Sequence, residues 1–243
     1  MKLVIIRHGD PNYAIDSLTD RGFIEAELLS ERIKKMDVTA FYCSPLGRAK
    51  ATAKPTLDKM GRNAEILDWL KEFPPVVVGK ISEPEGSCCW DMLPTEWTPI
   101  PEFFDKDAWM NVPIYKEAGV PDQYKYVCNG LDALLKKHGY SRNGLFYQAE
   151  RPNEDTIVLF CHFGLECVLL SHLLNISPVQ LWHGTCAAPS SVTTLVTEER
   201  REGVAYFRMG SFGDTSHLYA KDVEPSFAAR FCETYYRKDQ RHD

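Results

Sequence analysis

Residues 2–12 read KLVIIRHGDPN and residues 156–164 read TIVLFCHFG. Each begins as an unbroken apolar, β-branched run, the pattern of a strand buried on both faces as in a parallel sheet. Each then delivers a histidine, His8 or His162, with a glycine close behind. Ligands of open α/β sheets bind at the carboxyl ends of the strands. The two histidines are therefore expected at one edge. Arg7 beside His8 points to phosphate, because a guanidinium matches phosphate oxygens bidentately while imidazole can act as nucleophile or proton donor. Gly9 is expected to let the backbone pass close to the ligand.

Working outward, residues 18–36 (LTDRGFIEAELLSERIKKM) predict a helix capped by Thr19, with Phe23, Ala26, Leu29, Ile33 and Met36 on its apolar stripe. Residues 39–44 (TAFYCS) read as a short buried strand. Ser44-Pro45 is expected to cap and start the next helix, which Pro55 should kink or shorten. Arg48 falls near its first turn, so the guanidinium and the helix N-terminal N–H groups face the same edge. Residues 64–70 (AEILDWL) supply a third strand, completing a β-α-β-α-β order.

Between residues 73 and 121 the periodicity breaks into prolines and aromatics. A cap-like insertion is expected there. Its Trp90, Trp97, Phe103, Phe104 and Trp109 either wall a substrate pocket or form the insertion's own small core. A helix resumes after Pro121 and closes at Gly139. Residues 191–197 and 204–209 finish the sheet. The expected fold is α/β: a three-layer α/β/α sandwich with a mostly parallel central sheet, one domain over 1–243 with 73–121 inserted.

The 34 acidic residues outnumber the 28 basic ones, giving a formal charge of −6 and no reason to expect nucleic-acid binding. The N-terminal apolar run is too short for a signal peptide or membrane span. A cytoplasmic protein is expected, its eight cysteines free thiols. No C-x-x-C occurs, and His183-x-x-Cys186 is the only zinc-like pair, so neither metal nor other cofactor is expected. Cys43-Ser-Pro-Leu-Gly-Arg48 superficially suggests a cysteine phosphatase loop, but places four residues between cysteine and arginine where that loop has five. The oligomeric state is left open.

The stretch RHGDPNYAIDSLTDRGFIEA resembles the signature of the histidine phosphatase superfamily, the phosphoglycerate mutase-like group. Ser44-Pro45-x-x-Arg48-Ala49 with Thr52-Ala53, an acidic residue after the third strand, and the histidine after TIVLFC follow in the family's order, spanning residues 1 to about 195. The resemblance implies that His8 becomes a phosphohistidine, that Arg7, Arg48 and His162 surround the phosphoryl group, and that Glu72 is the general acid. Phe73-Pro74-Pro75 stands where the family has a glycine-tryptophan segment, so Glu83 and Glu85 remain alternatives for that role. Asn12, Tyr13 and Trp90 are the candidate substrate-pocket residues, and His217 lies in a family-like loop without an assigned role. The implied activity is metal-independent hydrolysis of a small organic phosphomonoester. The absence of arginine between Arg62 and Arg142 argues against a mutase, which needs extra cations for a second anionic group. Mutase-like phosphoryl transfer and a low-activity phospho-ligand binding module remain the alternatives.

Overall fold

The alternation within Leu3–Ile6 sets the layers. In the computed structural model, which describes residues 1–80, 83–228 and 230–241, these residues form strand β1 (Lys2–Arg7). Leu3 and Ile5 join one core cluster, Val4 and Ile6 another. The second cluster packs against α1 (Asp20–Ile33) and α2 (Gly47–Met60) through Leu29, Ile33, Ala49 and Ala53. The first takes α3 (Val120–Lys137) and α4 (Phe163–Leu174) through Leu131, Leu135 and Leu169. Side chains pointing alternately to the two sides thus require helices on both faces. Each fully buried leucine or isoleucine contributes about 2 kcal/mol.

The sheet contains β1, β2 (Ala40–Cys43), β3 (Ala64–Ile66), β4 (Tyr140–Asn143), β5 (Phe146–Ala149), β6 (Thr156–Cys161), β7 (Val192–Arg201) and β8 (Val204–Asp214). Its spatial order is β3-β2-β6-β1-β7-β8-β5-β4. Strands β3, β2, β6 and β1 run parallel, and the remaining neighbours pair antiparallel. The β4–β5 hairpin, turning at Gly144 with φ +58°, is absent from the sequence expectation.

Three local expectations need correction. Ser44 does not cap α2, which begins at Gly47 after Leu46, and the helix runs through Pro55 to Met60 because Ala49, Thr52, Ala53 and Thr56 hold its inner face in the core. Phe23 is 48% exposed, and the inward stripe of α1 instead includes Glu25 and Ser30. Independently of any ligand, Gly9 is also held to glycine by its own scaffold: a Cβ there would lie 2.9 Å from the Gly22 carbonyl oxygen of α1.

Residues 73–121 carry a two-residue ladder, Val76–Val77 with Ser87–Cys88, and short helical turns. Phe73, Val77, Phe103, Trp109 and Tyr115 are buried in the same cluster as Leu3 and Ile5. Phe103 and Trp109 are therefore core. Helix α4 is buried nearly all round, and His162 stands at its N-cap position.

Candidate active site

Parallel pairing of β1 with β6 sets Arg7 opposite Cys161, so the next residue of each strand is a histidine. The His8 and His162 ring centres lie 5.2 Å apart, their planes at 57°. Three elements pin the His8 backbone. Its N–H donates to Cys161 O (3.0 Å), its carbonyl accepts from Ser190 N (3.0 Å), and the following Gly9 N–H donates to Thr52 Oγ1 of α2 (2.9 Å). His8 Nδ1 lies 2.8 Å from Gly9 O. A carbonyl only accepts, so Nδ1 carries the proton and Nε2 keeps its lone pair. Burial, reinforced by the Arg7 guanidinium, pushes the His8 pKa well below its ordinary value, and the ring is neutral.

His162 uses Nε2 toward Ser44 Oγ at 2.8 Å, and that hydroxyl also accepts from Leu46 N (3.2 Å). Its Nδ1 is buried without a hydrogen-bond partner. Burial, then His8 and the two arginines, holds its pKa well below the usual range. A phosphate dianion beside this ring would reverse the balance of charge and favour the imidazolium.

Arg7 donates to Ala187 O and its guanidinium lies 5.5 Å from the Phe163 ring centre. Arg48, the second residue of α2, donates to Asp16 Oδ1 (2.7 Å) and lies 5.4 Å from the Tyr13 ring centre. Asp16, in the left-handed conformation at φ 45°, also accepts from Gly47 N with Oδ2 (2.6 Å). It therefore clamps both the helix start and the arginine. Tyr13 is exposed, and Asn12 sits in a two-residue ladder opposite Ser17.

Glu72 reaches the N-terminus of α4, where Oε1 accepts from Leu165 N (3.0 Å) and from Phe73 N (2.9 Å). A Cβ on Gly164 would lie 2.6 Å from Trp90 Nε1 and 2.9 Å from Glu72 Oε1, so only glycine lets indole and carboxylate converge there. Desolvation raises the Glu72 pKa against the pull of those N–H groups and of Arg7 and Arg48. Glu83 instead pairs with Lys80 (3.0 Å), and Glu85 is exposed.

Sequence reasoning did not find Asp16, Ser44's bond to His162, or the brace in which His217 Nε2 meets Ser190 Oγ at 3.1 Å. Ser190 sits at φ 61° and donates its N–H to His8 O. Behind the loop, Asp10 accepts from Thr19 (2.6 Å) and Ser226 (2.5 Å) hydroxyls, and Glu25 accepts from Asp10 N (2.8 Å). These roles depend on long-range contacts that no local pattern announces. Cys43 is buried, and burial pushes its thiol up to about 12, the opposite of a nucleophilic thiolate.

The family model described as histidine phosphatase superfamily (branch 1) matches residues 3–81. Over 101 residues the chain is 32% identical to a Hydrogenobacter thermophilus protein named "Putative phosphoserine phosphatase 2", covering 38% of this chain and 47% of that one. A Schizosaccharomyces pombe "Probable phosphatase" is 22% identical over 240 residues, or 92% of this chain and 98% of that one. Among solved structures, phosphoserine phosphatase from Entamoeba histolytica in complex with phosphoserine superposes with a TM-score of 0.58 at 22% identity, covering 89% of this chain and 98% of that one. Mycobacterial glucosyl-3-phosphoglycerate phosphatase does so with a TM-score of 0.58 at 17% identity, covering 87% and 98%. The matched stretch carries Arg7, His8 and Arg48, and the structural likeness covers 89% of the chain. Residues 3–81 are thus similar to the histidine phosphatase superfamily (branch 1), and the fold of the chain is like that of these phosphatase structures.

Proposed function

We propose that the chain hydrolyses phosphomonoesters of small organic alcohols through a phosphohistidine at His8. One observation carries the mechanism: His8 Nδ1–H is fixed on Gly9 O, which leaves Nε2 as a buried, neutral nucleophile close to a second imidazole. Nε2 attacks phosphorus, and the bond from phosphorus to the alcohol oxygen breaks. Arg7, Arg48 and protonated His162 hold the equatorial oxygens as charge develops. Glu72, whose pKa desolvation raises, gives its proton to the leaving oxygen. The resulting carboxylate then takes a proton from water, which attacks the phosphohistidine and releases phosphate and free His8.

The relatives' names support hydrolysis over mutase chemistry, as does the lack of arginine between Arg62 and Arg142. The core shared by residues 73–121 and the sheet supports reading residues 1–243 as one unit with a cap. No helix among the described residues is long and apolar enough to cross a membrane. All eight cysteines are free, which supports a reducing compartment such as the cytoplasm.

The test is phosphate release from p-nitrophenyl phosphate with EDTA present, with 3-phosphoglycerate isomerisation followed alongside. Hydrolysis abolished in His8→Ala is expected. Wild-type turnover by that variant sinks the mechanism, and isomerisation without hydrolysis makes the protein a mutase.

A further inference from the structure

Beside the phosphate site lies a cleft of about 770 Å³ walled by Trp90, Trp97, Trp182, Phe231 and Tyr235. Two contacts tie it to Arg7. Trp90 and Phe231 both pack on Phe163, at 6.3 and 5.5 Å between ring centres, and Arg7 stands over that same ring. On the rim, Cys186 immediately precedes Ala187, whose carbonyl accepts from Arg7. The volume suits an organic group of roughly drug size, for which pockets run about 300–1,000 Å³.

Its charges select against acids. Asp91 and Glu233 line the cleft, and Arg241, the one arginine or lysine among its lining residues, lies 2.7 Å from Asp91 and 3.8 Å from Glu233. His183 stacks on Trp97 at 5.3 Å, but Nδ1 donates to Val179 O (2.8 Å) and Nε2 accepts from Met92 N (3.1 Å). That pattern requires a neutral ring. A carboxylated leaving group would meet two carboxylates and a guanidinium already engaged by both.

We propose that this cleft receives the leaving group, and that the preferred substrates are phosphate esters of uncharged, ring-bearing alcohols rather than phosphorylated amino or sugar acids. The proposal rests on the hydrolase reading above. The aromatic walls offer stacking faces, and the cleft's place beside Arg7 puts an ester's alcohol side within reach once its phosphate is bound.

The experiment compares kcat/KM for 2-(1-naphthyl)ethyl phosphate, ethyl phosphate and O-phosphoserine, whose leaving groups are all primary alkoxides. The naphthyl ester is expected to lead both others about tenfold, the worth of ~1.4 kcal/mol of stacking. Trp97→Ala should collapse the naphthyl-to-ethyl ratio. Tyr235→Ala, at a side chain 80% exposed, should lower it as well. Equal rates for the three esters, or O-phosphoserine in the lead, overturn the cleft assignment and leave the hydrolase standing. Failure on all three and on p-nitrophenyl phosphate overturns the hydrolase instead. The affinity of His8→Ala for the three esters, read by calorimetry, then decides the cleft, and equal affinities overturn it.

Discussion

The ring nitrogens of His8 divide their labour: Nδ1 is spent on Gly9 O, so in the proposed mechanism chemistry falls to Nε2. Glu72 is defined by loss of water at the α4 N-terminus. Its raised pKa keeps the acid form to higher pH than an ordinary carboxylate, and proton donation fades as pH rises through that value. The pKa of His8 lies well below its ordinary value, so the proposed nucleophile is already neutral across this window. For ethyl phosphate, kcat/KM should therefore fall on the alkaline side, and Glu72→Gln should erase that limb in a pH profile. The same variant should lose about 10²-fold on ethyl phosphate and much less on p-nitrophenyl phosphate, whose leaving group needs little protonation. Equal losses on both esters would exclude Glu72 as the acid. Arg7, His8, Arg48 and His162 were legible because each adjoins a strand end or helix start. Asp16 was not, since its meaning comes from a left-handed turn that brings it onto a helix from outside.

At the scale of elements, α2 is aimed by the loop that precedes α1. Asp16 holds Gly47 N–H with one oxygen and Arg48 with the other. Asp16→Asn keeps an acceptor for the helix start but removes the charge that positions Arg48. KM for p-nitrophenyl phosphate should rise several-fold while thermal stability holds, whereas Asp16→Ala should also cost about 1 kcal/mol of stability, as lost caps do. Matching stability losses in both variants would reduce Asp16 to a structural residue. Periodicity located α1, α3 and the central strands, since their patterns are set by which face is buried. It misjudged the start of α2 because Ser44, a good cap by type, turns its hydroxyl to His162. The β4–β5 hairpin escaped because Tyr140–Asn143 is a mostly polar edge strand in which only Tyr140 is fully buried.

Across the whole molecule, two carboxyl groups sit buried on opposite faces of the sheet: Glu25 on α1 and Glu166 on α4. Burial pushes each to about 7. Both are ordinary carboxyls when unfolded, so between roughly pH 4.5 and 7 each holds more proton folded than unfolded and contributes stability that declines as pH rises. Each shift corresponds to at most about 3 kcal/mol. The neutral His8, His162, His183 and His217, whose pKa values burial lowers, act in the opposite sense over the same range, so the carboxyl contribution is read by difference. In urea unfolding, Glu166→Gln should gain stability at pH 8 relative to pH 5 when compared with the wild type, and an unchanged pH dependence would exclude the Glu166 carboxyl as a contributor.

The meeting of the two histidines also has a temporal side. They adjoin only when β1 lies in register beside β6, and most of the intervening chain must be threaded before that contact closes. Pairings so distant along a chain are the slow ones. An early species with helices and local turns in place would hold two isolated imidazoles and no site. The proposed hydrolysis is thus a clock for the closing of the sheet's centre, and its return during refolding would date that event rather than the growth of helical structure.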